Sequence, residues 1–354
     1  MTRLLHTLTL LALAAPAVAQ GPNQPDMTVD AATRRQVIDG VLARLKEAYV
    51  FPDTALAMER AVLERARRRE YDRITSALAF AESLTAHLQA VSQDRHLRVR
   101  YSAEPIPERR GDGPSPEAEQ RQREFGRQIN FGFERVERLD GNVGYLELRT
   151  VGFEPEWIEE TAAAAFNFLS NTDALIIDLR RNGGGSPHMV AFVTSYLFGE
   201  DTVHLNSLYW RPANRTDHFY TRKSVPGRRY GPDKPVYVLT SDRTFSGAEE
   251  FAYNLQTRKR ATIVGDTTGG GAHPGGMQRV TEHFGVWVPS GRAINPITKT
   301  NWERVGVRPD IAVPADQALA AAHRAALRGL IARAADPERR QRLEEALAGM
   351  VARP

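Results

Sequence analysis

Ser246 is the residue of this 354-residue chain whose position best suits nucleophilic chemistry. It follows Val236–Thr240, which has the branched, alternating pattern of a buried strand, and precedes Gly247–Thr257, whose apolar residues recur at helical spacing. The pattern therefore predicts a strand-to-helix junction at Ser246. Free backbone N–H groups and the helix dipole favour negative charge at such a junction, as an oxyanion formed in acyl transfer requires.

The same residues also fit a purely structural role. Ser246 is followed three positions later by Glu249, the spacing of a capping box in which the two side chains satisfy backbone N–H groups at a helix start. The local pattern leaves both interpretations open, so other residues must decide between them.

A run of three glycines, Gly183 to Gly185, follows the buried-strand pattern of residues 174–179. The Lys-Ser/Thr pair of a phosphate-binding P-loop is missing, and so is the spacing of a dinucleotide-binding fingerprint. The run is therefore either a tight turn or a source of backbone amides that can approach a tetrahedral intermediate closely.

Three further side chains could take part in acid–base chemistry. His96 lies between a helical pattern and a short strand pattern, His273 follows the glycines at 269–271, and Glu303 lies in a polar segment beside Trp302. An isolated histidine is commonly structural, and an isolated glutamate commonly forms a surface salt bridge. Imidazole is nevertheless the side chain best matched to activating a serine at neutral pH.

Composition excludes several classes of protein. A formal net charge of +4, from 47 basic and 43 acidic residues, gives no reason to expect a nucleic-acid partner. Cysteine is absent, so neither disulfides nor thiolate metal sites are expected. Residues 1–19 have the basic start, short apolar stretch and Ala-Val-Ala end of a secretory signal peptide. The apolar stretch is too short to span a bilayer. We expect export to the periplasm or the extracellular medium, with no stable membrane insertion after cleavage.

The patterns divide the remaining chain into successive segments. Residues 20–30 read as a linker and 31–101 as a domain of three helices followed by a strand; 102–130 have no apolar period and read as a flexible insertion. Residues 131–313 alternate strands, glycine-rich turns and helices, which predicts a layered α/β core. Residues 314–354 are Ala-, Leu- and Arg-rich and read as amphipathic helices.

With these segments placed, the chain resembles the S41 peptidases, the tail-specific or C-terminal processing protease family. It looks closest to the branch with the interphotoreceptor retinoid-binding protein modules and the tricorn core protease. The matching blocks, in the family's order, are residues 94–97 (DRHL), 177–185 (IDLRRNGGG), 240–251 (TSDRTFSGAEEF), 260–265 (RATIVG), 268–274 (TGGGAHP), 301–303 (NWE) and 306–310 (GVRPD).

The resemblance implies roles for individual residues. Ser246 matches the family nucleophile, but Gly271 stands where the better-known members carry an activating lysine, so a Ser/Lys dyad is not expected. The tricorn-like branch instead implies His96 as base and Glu303 as the acid that orients it, with His273 as a reserve base. Gly247 and Gly184 would supply the oxyanion amides, and no cofactor or metal is implied.

The resemblance also implies an architecture and an activity. The fold would be a ClpP/crotonase-like ββα spiral core with an N-terminal three-helix domain, and the short segment 102–130 leaves no room for the PDZ domain that many relatives carry. The implied activity is hydrolysis of peptide or protein substrates. A non-catalytic binding protein for an apolar ligand is the alternative, because the retinoid-binding relatives share the framework; the oligomeric state stays open.

Overall fold

A computed structural model describes residues 24–108 and 115–351, so the predicted signal peptide lies outside the described residues. The described chain forms two compact units. One contains the residues up to 122 together with 275–290, and the other contains 123–274 together with the residues from 291 onward.

Three helices make up most of the first unit, as the sequence predicted. They are α1 (Ala31–Ala48), α2 (Pro52–Arg67) and α3 (Ala77–Ser92). The side chain of Asp30 accepts the Thr33 N–H at the start of α1, and Ser76 accepts the Ala79 N–H at the start of α3, so two of the helix starts are capped.

A small antiparallel sheet completes this unit and includes residues 275–290, which are distant in the sequence. Its strands, in spatial order, are β1 (Arg98–Tyr101), β10 (Phe284–Pro289) and β9 (Gly275–Arg279). Phe284 packs edge-on against Phe80 of α3, with ring centroids 6.2 Å apart. Residues 275–290 therefore share a core with the N-terminal helices, whereas the sequence patterns assigned them to the segment 131–313.

The expected flexible insertion contains a helix, α4 (Pro116–Gln128), so the expectation of an irregular segment was wrong there. The helix was missed because α4 is almost entirely solvent-exposed and therefore has no apolar face that would produce a period in the sequence. Its Glu, Gln and Arg residues have high intrinsic helix propensity, Pro116 starts it, and Glu117 and Glu119 complement the dipole in the first turn.

The second unit is built on a six-stranded sheet. Its spatial order is β12 (Ile311–Ala312), β8 (Thr262–Gly265), β7 (Val236–Thr240), β4 (Ala174–Asp178), β3 (Val143–Leu148) and β2 (Phe133–Leu139). All neighbours are parallel except β2 and β3, which form an antiparallel hairpin.

Helices cover both faces of this sheet, which is why its central strands are apolar on both sides. Leu175 and Ile177 of β4 face a core shared with α5 (Pro155–Leu169), α6 (Pro187–Ser195) and α7 (Gly247–Thr257). Their neighbour Ile176 faces a second core with α8 (Ala318–Arg333) and α9 (Pro337–Val351). The layered α/β architecture expected from the sequence is confirmed.

A second, three-stranded sheet belongs to the same unit and was not predicted. It pairs β5 (His204–Trp210) with β6 (Arg215–Tyr220) on one side and β11 (Gly291–Ile294) on the other. Among the helices of residues 24–108 and 115–351, none is long and apolar enough to cross a membrane.

Candidate active site

Three neighbouring parallel strands lead to the glycine turn, Ser246 and the loop with His273 at one edge of the sheet. The Gly183–Gly185 turn follows β4, Ser246 follows β7, and the loop with His273 follows β8. Because β4, β7 and β8 are adjacent and parallel, their carboxyl ends lie side by side, the usual place for a site in an open α/β sheet.

Ser246 has an unusual backbone conformation. Its φ of 54° and ψ of −122° are reached by few residues other than glycine, at a cost of about 1–3 kcal/mol. An ordinary helix cap has an extended backbone and needs no such strain. The serine is half-buried, and its backbone N–H donates to Glu249 Oε2 at 2.8 Å, so the glutamate contact of a capping box is present. Strain of this kind is typical of functional positions.

The glycine turn packs against the serine so closely that side chains would not fit. A β-carbon on Gly184 would lie 2.8 Å from Ser246 Cβ, and one on Gly185 would lie 2.3 Å from the Gly152 nitrogen. Both residues have positive φ, of 100° and 149°. The turn therefore needs glycine for its close approach and for its backbone conformation.

Asn182 holds this turn in place and was not singled out from the sequence. Its Oδ1 accepts the Gly184 N–H at 2.9 Å, its Nδ2 donates to Leu148 O at 2.9 Å, and its carbonyl accepts the Phe245 N–H at 3.1 Å. An asparagine directly before a glycine run was the available signal, since its side chain commonly binds the backbone two residues on.

This contact bears on the expected oxyanion donors. The Gly184 amide, chosen from the sequence, already donates to Asn182 Oδ1. No described residue accepts from the Gly185 or Gly247 amide, and the Gly185 nitrogen lies 3.0 Å from the β-carbon position of Gly247. These two amides are the neighbouring donors beside Ser246.

Glu249 is fully buried one turn into α7, and its carboxylate receives four hydrogen bonds. Besides Ser246, the donors are Thr268 Oγ1 at 2.5 Å, the Gly270 N–H at 2.6 Å and the Gly271 N–H at 2.9 Å. Burial raises the pKa of Glu249 to about 7, and the hydrogen bonds from Thr268, Gly271, Gly270 and Ser246 act in the opposite direction.

His273 and Glu303 form a pair within the second unit. His273 Nδ1 lies 3.5 Å from Glu303 Oε2, and both side chains are at least nine-tenths buried. The same Oε2 accepts the Ala272 N–H at 2.6 Å, and the Glu303 N–H donates to Asn301 Oδ1 at 3.0 Å. Glu303 is thus not the surface salt bridge considered from the sequence; it faces an imidazole inside the unit.

The loop that carries His273 is bonded along its length to the segment that carries Glu303. Trp302 Nε1 donates to Gly271 O at 2.7 Å, the Arg304 N–H donates to Gly270 O at 2.9 Å, and the Val307 N–H donates to Thr268 Oγ1 at 2.7 Å. These contacts fix the backbone on which both ionisable side chains are mounted.

His96 belongs to the first unit, on the turn between α3 and β1. It is half-buried, and its backbone N–H donates to Asp94 Oδ1 at 3.0 Å. Asp94 is buried and also accepts from Tyr49 Oη at 3.2 Å. These hydrogen bonds fix the turn that carries His96. The role of His96 in catalysis stays a prediction.

The arrangement described above consists of a serine, glycine amides, two carboxylates and an imidazole, which is the chemistry of acyl transfer.

Known proteins match both parts of the chain. Residues 142–313 match the family model described as Peptidase family S41, and residues 30–136 match the model of that family's N-terminal domain in eukaryotic IRBP. A carboxy-terminal-processing protease of Bartonella bacilliformis is 28% identical over 189 residues, covering 50% of this chain. The match spans only 40% of that relative's length.

Solved structures share the fold at low sequence identity. The photosystem II D1 C-terminal processing protease superposes with a TM-score of 0.50 at 15% identity, covering 81% of this chain and 94% of that one. The tricorn protease also gives a TM-score of 0.50, at 12% identity, covering 82% of this chain and 35% of that one.

Proposed function

The chain belongs to peptidase family S41 and is a serine-type peptidase, and on that basis we propose that it hydrolyses peptide bonds through an acyl-enzyme formed on Ser246. The observation that carries this proposal is the strained Ser246 at the start of α7, with the Gly185 and Gly247 amides beside it. A helix cap alone would need neither the strain nor the glycine turn.

In the proposed reaction, Ser246 Oγ attacks the peptide carbonyl as its proton passes to an imidazole. The tetrahedral oxyanion receives hydrogen bonds from the Gly247 and Gly185 amides. The imidazolium then protonates the leaving amine as the C–N bond breaks, and a water activated by the same imidazole hydrolyses the ester.

Two histidines are candidates for the base. His96 matches the family position and is our assignment, with Glu303 as the orienting acid. His273 is the alternative, because its Nδ1 is the imidazole atom found 3.5 Å from Glu303 within the second unit. An acid that orients an imidazole stabilises the cation formed during proton transfer, so the Glu303 contact is a specific reason to test both.

Binding of an apolar ligand without turnover is the competing function. One cavity in the second unit has a volume of about 610 Å³, and its lining is mainly polar and includes Glu159, Arg222 and Lys223. Pockets for apolar ligands are lined predominantly by hydrophobic and aromatic side chains. This cavity therefore does not favour the binding function.

Digestion of a peptide library by the wild type and by Ser246→Ala tests the proposed activity and reports cleavage preference. We expect wild-type cleavage and a loss of at least about 10³-fold in the variant. Equal cleavage by both proteins would exclude Ser246 as the nucleophile, and absence of wild-type cleavage would favour the binding protein.

We also propose that the protein is exported to the periplasm or the extracellular medium after removal of residues 1–19. Amino-terminal sequencing of the protein from an expressing bacterial culture should then begin at Gln20. A cytoplasmic product that retains Met1 to Ala19 would contradict export.

A further inference from the structure

Glu249 joins the nucleophile to the loop that leads to His273. One carboxylate oxygen accepts from Thr268 Oγ1 and the Gly270 amide, and the other accepts from the Gly271 and Ser246 amides. A carboxylate offers about four lone-pair sites, so these four donors saturate it. The side chain is completely buried, and water cannot replace a donor that is lost.

We propose that Glu249 is a positioning residue of the peptidase, whose carboxylate holds the strained Ser246 backbone and the 268–271 loop in one fixed arrangement. This inference rests on the proposed function of Ser246. Glu249 is not assigned contact with substrate, because all four of its acceptor sites are already occupied by the protein.

The contacts of the loop explain why this position matters for the site. The amides of Gly270 and Gly271 point to Glu249, and the carbonyls of the same residues accept from Arg304 and Trp302. Ala272 then donates to Glu303. Glu249 on one side and the Glu303 segment on the other therefore hold the loop between them.

An isosteric glutamine is the sharpest substitution, because it keeps the size of the side chain and changes only its donors and acceptors. In Glu249→Gln, an NH₂ group would replace one carboxylate oxygen and would then face the two protein donors that this oxygen accepts from. Two buried N–H or O–H groups would lose their acceptor, and the loop would have to move. Glu249→Asp keeps the negative charge and all acceptors on a chain shorter by one methylene.

The chain provides a matched control in the next residue. Glu250 is also buried in α7, and burial raises its pKa to about 8. Its polar neighbours are Asn206 and Asn254 rather than the 268–271 loop. Glu250→Gln thus makes the same substitution at a neighbouring buried site of the same helix without touching the loop.

Two measurements on the purified mature protein test the proposal. The first is the second-order rate of Ser246 labelling by a fluorophosphonate. A displacement of about 1 Å at a reacting centre can lower a rate about 10²-fold, so we expect the labelling rate to fall about 10²-fold in Glu249→Gln. The rate should fall less in Glu249→Asp, and by less than about 3-fold in Glu250→Gln. The second is hydrogen–deuterium exchange of a peptide covering residues 266–274, which should accelerate at least about 10-fold only in Glu249→Gln.

The outcomes separate this inference from the proposed function. If the wild-type protein is not labelled at Ser246, the proposed nucleophile is contradicted. Hydrogen–deuterium exchange in residues 266–274 then still tests whether Glu249 holds the 268–271 loop in place. Labelling and exchange in Glu249→Gln that equal those of Glu250→Gln would show that Glu249 is only a buried cap residue. If Glu249→Gln does not fold, an undiminished labelling rate and unchanged loop exchange in Glu249→Asp would overturn the proposal, and intermediate values would support it.

Discussion

Gly184 lies directly against Ser246, since a β-carbon at Gly184 would stand 2.8 Å from Ser246 Cβ and 2.7 Å from the Gly247 nitrogen. The turn after β4 and the helix start after β7 are thus in contact where the oxyanion is expected to form. This contact joins into one site two residues that are 62 positions apart in the chain.

Alanine at Gly184 should abolish most activity, whereas alanine at Gly183 should be tolerated. A Gly184 side chain would push the Ser246 junction away and would also be strained at a φ of 100°, while a Gly183 side chain would meet nothing within 4 Å. We expect kcat/KM to fall about 10²-fold or more in Gly184→Ala and only a few-fold in Gly183→Ala. Steady-state kinetics on a cleaved peptide measure both, and equal losses would contradict the packing argument.

The hydrogen bond from Trp302 should contribute to stability as well as to the site. Trp302→Phe leaves the buried Gly271 carbonyl without its indole donor, which typically costs about 1–3 kcal/mol. The comparison variant is Trp287→Phe, a half-buried tryptophan of the first unit, because no described residue accepts a hydrogen bond from Trp287 Nε1. Urea unfolding should show the larger loss for Trp302→Phe. A similar loss in the two variants would mean that ring packing, not the hydrogen bond, dominates.

Stability should fall as the pH rises from about 5 to about 8. The pKa of Glu250 is raised by burial from 4.5 to about 8. Between pH 4.5 and about 8 the unfolded chain releases a proton that the folded chain retains on Glu250, so the stabilising contribution of this neutral carboxyl is present below about 4.5 and is lost as the pH rises through the folded pKa.

Thermal unfolding across this pH range checks the sign of that dependence. Because about 1 kcal/mol shifts the Tm of a unit of this size by roughly 2–4 °C, the wild type should lose at least a few degrees between pH 5 and pH 8. Glu250→Gln cannot ionise and should give a shallower decline. An unchanged slope in this variant would mean that Glu250 does not titrate as its burial implies.

Local patterns in the sequence predicted the strands and helices that carry the site, but they did not predict how all of the strands pair. Val236–Thr240, Gly247–Thr257 and the glycine turn were visible because periodicity and turn chemistry are properties of neighbouring residues. The pairing of β1 with β10, which brings residues 275–290 into the first unit, links segments more than 180 residues apart and leaves no local signal. The β5–β6 hairpin was missed because polar residues such as Asn206, Ser207 and Asp217 interrupt the apolar pattern of its strands.

The details of the site were the least predictable. Glu249 was correctly seen as part of a capping box, but its other three donors come from Thr268, Gly270 and Gly271, which the spacing cannot place. The Gly184 amide, chosen from the sequence as an oxyanion donor, already donates to the Asn182 side chain, a contact that the sequence did not predict. Both facts depend on how loops meet after the strands have paired, and that is a property of tertiary structure.

The base assignment is tested by substituting each histidine separately. His96→Ala should lower kcat by about 10²–10⁴-fold, the usual contribution of a general base, with KM little changed. His273→Ala should lower kcat by no more than about 10-fold. The reverse ranking would transfer the base to His273, the imidazole beside Glu303.

The most direct test of the central claim is mapping the residue that a fluorophosphonate labels in the purified mature protein. The account predicts one covalent adduct on Ser246, found by mass spectrometry of the proteolysed protein. It further predicts that the adduct is lost in Ser246→Ala and strongly slowed in His96→Ala. No adduct on Ser246, or labelling at the wild-type rate when both His96 and His273 are replaced by alanine, would contradict a serine nucleophile activated by histidine.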